Sequence, residues 1–126
     1  VIYFDSCQYP GRLRIEELGA KLGTVITQLN VPQVDVISHS MGGLIVRAYL
    51  SGKQVTPGLF NPPPDPKVGK WISIATPNFG ALFGGFLAQF APDDQVREML
   101  PDSQFLFDLA TWNQNRDDLR GVDALG

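Results

Sequence analysis

The chain has 126 residues, 44% of them hydrophobic and 18% charged, enough apolar mass for one folded core and too much for a disordered tail. No run nears the ~18 uninterrupted apolar residues of a membrane span. Ten Lys and Arg are outnumbered by 13 Asp and Glu, which leaves a net charge of −3 and nothing that steers the chain to nucleic acid, and one Cys with one His excludes a disulfide framework and a Cys/His zinc site.

The sequence opens on Val1-Ile2-Tyr3-Phe4, an apolar run with no charged leader and no cleavage pattern. No targeting signal or compartment is readable from it, and the chain reads as a piece of something longer. Val1–Phe4 predicts a short buried strand ended by Asp5-Ser6. Pro10-Gly11 marks a turn. From about Arg12 to Leu29, apolar residues fall at Ile15, Leu18, Leu22, Val25, Ile26 and Leu29. Steps of three and four predict an amphipathic helix. Glu16 and Glu17 suit its positive N-terminal end, and Asn30 and Pro32 stop it.

Val34–Ile37 predicts a second strand. Ser38 to Gly43 is a small-residue turn, and Leu44, Ile45, Ala48 and Tyr49 resume a helical pattern. Residues 51–66 hold five prolines, at 57, 62, 63, 64 and 66, and predict a surface loop. Val68–Ala75 is a third apolar strand, closed by Thr76-Pro77-Asn78-Phe79-Gly80. Arg97 to Leu109 suggests further helix interrupted by Pro101. Gly121 onward begins another strand. Strands alternating with helices predict an α/β fold with a parallel sheet.

Ser38-His39-Ser40-Met41-Gly42-Gly43 carries the chemistry. A strand that turns straight into a helix strains the residue at its apex and projects that side chain above the sheet edge. Ser40 sits at that apex. Its neighbours Ser38 and Gly42 need to be small so that strand and helix approach. The Met41 N–H, at the start of the helix, points toward the oxygen of a carbonyl attacked by Ser40 and supplies half of an oxyanion hole. One such donor lowers a transition state by roughly 3 kcal/mol.

Val36 to Leu44 resembles the nucleophile elbow of the α/β-hydrolases, and more narrowly of bacterial triacylglycerol lipases and related esterases. Ile74 to Gly80 resembles their next strand and its Thr-Pro-x-x-Gly exit, with Asn78 where many of these lipases have His. Met99-Leu100-Pro101-Asp102-Ser103 with Phe105-Leu106 resembles a later segment. The resemblance implies a partial α/β-hydrolase fold in which Val1–Phe4, Val34–Ile37 and Lys70–Ala75 are family strands four to six. Residues 1–126 would then be the central part of one domain. The triad Asp and His would follow Gly126. The second oxyanion donor would precede Val1, on the loop after a third strand that lies between the fourth and fifth. The implied activity is hydrolysis of lipid or other carboxylic esters through an acyl-serine. It needs no metal and no cofactor, and allows contact with a lipid surface. An acyltransferase on the same fold and a non-catalytic binding protein are the alternatives.

His39 adjoins Ser40, but adjacent side chains on extended backbone point to opposite sides, which predicts a packing role and not that of base. Asp5 reads as a strand end or cap. Arg116, Asp117, Asp118 and Arg120 read as a solvated face, and Cys7 as an inert thiol. Residues 79–109 form a candidate lid or cap, in which Phe83, Phe86, Leu87 and Phe90 share a face that would wall an acyl pocket or pack on the sheet.

Overall fold

In a computed structural model of the chain, residues 1–9, 13–82, 93–114 and 119–126 are described. Helix α1 spans Ile15–Gln28, strand β1 Val34–His39, helix α2 Met41–Ser51 and strand β2 Val68–Ile74. Two short helices follow, α3 at Asp94–Glu98 and α4 at Gln104–Thr111, and strand β3 is Asp123–Leu125. The strands form one parallel sheet in the order β1-β2-β3. A parallel sheet with flanking helices is the α/β arrangement the sequence predicts.

Alternation along the strands gives the sheet two unlike faces. Val36 pairs with Trp71 and Ser38 with Ser73, and these face the helices. A register shift between Val34 and Asp35 lets Val68 pair with Val34 and also point inward. The core gathers Ile15, Leu18, Leu44, Leu50, Trp71 and Leu109 on this side. Helix α1 crosses α2 at glycine: a Cβ on Gly23 would stand 2.5 Å from the Tyr49 ring. The Tyr49 hydroxyl donates to the Pro66 carbonyl at 2.8 Å, which ties the Pro-rich segment to the same crossing. The other sheet face carries Asp35, Ile37, His39, Lys70, Ile72 and Ile74, all exposed.

Several expected boundaries move, each for a local reason. Val1–Phe4 is not a strand: among the described residues no ladder partner lies beside it, and Val1, Ile2 and Tyr3 are exposed. Strand propensity alone does not make a strand where hydrogen-bonding neighbours are missing. β1 runs two residues further than expected because its ladder with β2 continues to the His39–Ile74 pair. The helix expected over 97–109 is interrupted at Pro101 as expected, but its two pieces are Asp94–Glu98 and Gln104–Thr111. The Ser103 hydroxyl starts the second by accepting from the Leu106 N–H at 3.2 Å while donating to the Glu98 carbonyl at 2.6 Å.

Arg120 does not belong to a solvated face. Its guanidinium donates to the Pro63 carbonyl at 2.6 Å and to those of Pro64 and Leu50 at longer range. Consecutive prolines have no N–H to pair with a neighbouring strand, so their carbonyls take donors from elsewhere.

Candidate active site

β1 passes into α2 through one residue. His39 ends the strand, Met41 opens the helix, and Ser40 makes the turn with φ 54° and ψ −130°. That conformation costs a non-glycine residue on the order of 1–3 kcal/mol, so the surroundings must impose it. Two backbone bonds do so. The Ser40 N–H donates to the Ile74 carbonyl at 2.9 Å, and the Gly43 N–H donates to the Ser40 carbonyl at 3.0 Å. The first ties the turn to the end of β2. The second closes the first turn of α2. The Ser40 side chain is left exposed at the C-terminal edge of the sheet, where ligands gather in open α/β folds.

The exit of β2 packs against that helical turn. A Cβ built on Gly43 overlaps the Thr76 side chain, whose hydroxyl bonds to the Ser73 hydroxyl at 2.7 Å. A Cβ on Gly42 would stand 3.6 Å from the Ser38 Cβ, an ordinary contact. The tight approach is therefore at Gly43, not at Gly42 as the motif suggests. Ser38 is also more than small. It is buried and its Oγ accepts the indole N–H of Trp71 at 2.8 Å. Asn78 has a use of its own: its Oδ1 accepts from Arg47 of α2 at 3.1 Å, and the same guanidinium donates to the Leu109 carbonyl at 3.2 Å. Arg47 thus clamps the Thr76–Gly80 turn and α4 to the helix that Ser40 starts.

His39 lies on the outward face of β1 with Asp35 and Ile37 and is exposed. Among the described residues no hydrogen bond joins it to Ser40. The first turn of α2 presents the Met41 N–H, one of the donors a helix start leaves without an intrahelical acceptor. A cavity of about 670 Å³ adjoins Ser40 and Met41. It runs between residues 1–6 and β1, the edge strand among the described residues, and Ile26 of α1 and Leu29 just after that helix line it too. Asp5 borders this cavity, but its carboxylate accepts the Cys7 N–H at 2.9 Å and so caps a single 3₁₀ turn at Ser6–Gln8. Cys7 is exposed and free. Phe83, Phe86, Leu87 and Phe90 lie outside the described residues.

A second polar cluster has no place in the motif reading. Lys53, Glu16, Glu98 and Asp108 are all buried. Lys53 Nζ sits 3.0 Å from Asp108 and 3.8 Å from Glu16. The Ile15 N–H donates to Glu98 at 2.8 Å, and Arg14 approaches Glu98 at 3.7 Å. Burial, and a hydrogen bond that protonated Glu98 gives to the neighbouring Glu16, push the Glu98 carboxyl up to about 8, against the Ile15 N–H and the Arg14 charge that favour ionisation. Among the described residues, one oxygen of each of Glu16 and Glu98 is buried with no hydrogen-bond partner. Burial also raises Asp108, but the Gly58 N–H, the Gln104 amide and the Lys53 ammonium outweigh it and hold that carboxyl below its ordinary value. The cluster surrounds a cavity of about 260 Å³ that shares no lining residue with the one beside Ser40. Sequence reasoning missed it because its members are scattered from Glu16 to Asp108 and each looks like an ordinary surface charge.

Three parallel strands with flanking helices, and a serine on the strained turn between strand and helix, define a partial α/β-hydrolase fold. Within that class the family is clear: residues 5–119 match the lipase (class 2) family, and the chain belongs to it. The chain is also 36% identical over 67 residues to lecithin-cholesterol acyltransferase-like 4 of Arabidopsis thaliana. That match takes in 53% of this chain and 11% of the plant protein, so the chain spans a small part of that curated relative's length.

Proposed function

We propose that Ser40 is the nucleophile of a serine carboxylic-ester hydrolase acting on lipid or related esters. The observation that carries this reading is the turn at Ser40, an exposed residue held at φ 54° with its N–H bonded to the Ile74 carbonyl. Ser40 Oγ attacks the ester carbonyl, and the Met41 N–H donates to the oxyanion that forms. The alcohol leaves, and water then cleaves the acyl-serine. The base that takes the Ser40 proton, and the acid that orients it, come from parts of the protein outside these 126 residues. His39 is on the wrong face of β1 for that task.

The free edge of β1 supports this assignment. All six residues of β1, the edge strand among the described residues, line the 670 Å³ cavity. In our reading a further strand of the same domain pairs there, and the loop after it brings the second oxyanion donor to Ser40. Residues 1–4 then gain the ladder partner they lack.

The test is a fluorophosphonate probe on the full-length protein, with the adduct mapped by mass spectrometry. Labelling at Ser40, lost in Ser40→Ala together with ester hydrolysis, is the expected result. A folded protein left unlabelled at Ser40 favours a binding role and overturns the reading. The 126-residue chain alone should show no turnover of a short nitrophenyl ester, since it lacks the base. Turnover abolished there by Ser40→Ala would contradict the assignment of the base. Acyl transfer to an alcohol is the second reading, favoured by the similarity to a plant protein named as acyltransferase-like. Partition of the acyl group between water and an added alcohol separates the two.

A further inference from the structure

The Ser38–Trp71 contact asks for more than a small residue at position 38. Both side chains are buried, and the indole N–H donates to Ser38 Oγ at 2.8 Å. Trp71 pairs in register with Val36, so its ring reaches one pair further along the inner face, toward the turn. On its other side the Ser38 Cβ lies under the first turn of α2, at contact distance from where a Gly42 Cβ would stand. The Ser38 side chain is thus held between the indole below and the helix start above, two residues before Ser40.

We propose that Ser38 and Trp71 are positioning residues for Ser40. This rests on the reading of Ser40 as nucleophile. Their hydrogen bond fixes the last inward residue of β1 against β2 and so sets where Ser40 leaves the sheet. A strained turn keeps its geometry only while its surroundings over-determine it. The Ser40 bond to Ile74 is a backbone contact common to any residue at that position. The bond from Trp71 is the side-chain restraint on the strand side of the turn. Alanine or glycine at 38 satisfies the packing but leaves a buried indole N–H without an acceptor, and the ring and strand must shift to find one. Small displacements of a reacting group carry large rate penalties.

The experiment uses the full-length protein and five forms: wild type, Ser38→Ala, Ser38→Thr, Trp71→Phe and the Ser38→Ala/Trp71→Phe double variant. Each is assayed well below its melting temperature for the rate of fluorophosphonate capture at Ser40, and for kcat and KM on a nitrophenyl ester. Ser38→Ala and Trp71→Phe should each lower capture and kcat about ten- to a hundredfold. KM should stay within about twofold, since no substrate contact is lost. The double variant should be no slower than the slower single one, because both remove the same bond. Ser38→Thr keeps the hydroxyl and should recover most of the rate. Ser38→Ala removes a single oxygen, so it remains informative even if Trp71→Phe does not fold. Wild-type capture in Ser38→Ala, with only its melting temperature lowered, overturns the proposal and leaves the reading of Ser40 intact. Absence of capture at Ser40 in the wild type overturns that reading itself, and the positioning role falls with it.

Discussion

Gly43 is the residue on which the junction is least forgiving. A methyl there runs into Thr76, and overpacking of this kind costs about 1–3 kcal/mol. Gly43→Ala should lower the denaturant midpoint accordingly, and Thr76→Ala in the same chain should recover part of the loss. A Gly42→Ala change has room for its methyl and should cost less, which urea titrations of the three variants will show. Glu98 sets a pH dependence. Its carboxyl holds a proton in the folded protein up to about 8, whereas the unfolded chain releases it near 4.5. Its contribution is therefore full below 4.5 and lost as pH rises through 8. Denaturation across that window should show falling stability, flattened in Glu98→Gln. Asp108 acts in the opposite sense. Its lowered carboxyl contributes above 3.8 and loses that contribution in acid. Of these residues only Ser40 and its immediate neighbours were legible in the sequence. The motif is contiguous, while Ser38 and Trp71, or Arg47 and Asn78, are 33 and 31 positions apart and reveal each other only when folded.

At the scale of elements, α1, β1, α2 and β2 follow from local pattern. Their apolar periods coincide with the faces they bury. Val1–Phe4 has the composition of a strand, but strands are made by partners, and pairing is not a local property. The short helices after residue 92 depend on Asp93 and Ser103 as caps more than on periodicity. Polar bonds tie α3 to the start of α1: Gln95 donates to the carbonyl of Leu13, just before that helix, at 2.6 Å, and Glu98 receives the Ile15 N–H. Lys53 anchors the start of the Pro-rich excursion in the same way, between Asp108 of α4 and Glu16 of α1. Lys53→Met should cost about 3–5 kcal/mol, because it strands buried carboxylates without their cation. Lys53→Met with Asp108→Leu should be less destabilised than Lys53→Met alone. Thermal melts of the two variants check this.

At the scale of the whole molecule, the two faces of the sheet differ in kind. The helices cover one. The other leaves Ile37 71%, Ile74 49% and Leu125 69% exposed, a patch of the sort that associates. The 126-residue chain alone should bind anilinonaphthalene sulfonate and self-associate, and Ile37→Lys with Leu125→Lys should reduce both, as light scattering will show. Composition and alternation were enough to predict the α/β class. They could not show that this face is exposed, because a strand covered on both sides and one covered on a single side look alike where the strands are this short and Ile37, Ile72 and Ile74 interrupt the alternation. Ser40, which the ends of β1 and β2 hold in a strained turn, is the nucleophile we propose. The most direct measurement is the site of fluorophosphonate capture in the full-length protein. A single adduct on Ser40, absent from Ser40→Ala, is the expected result. Ester hydrolysis that persists in Ser40→Ala, with capture at another residue, would contradict it.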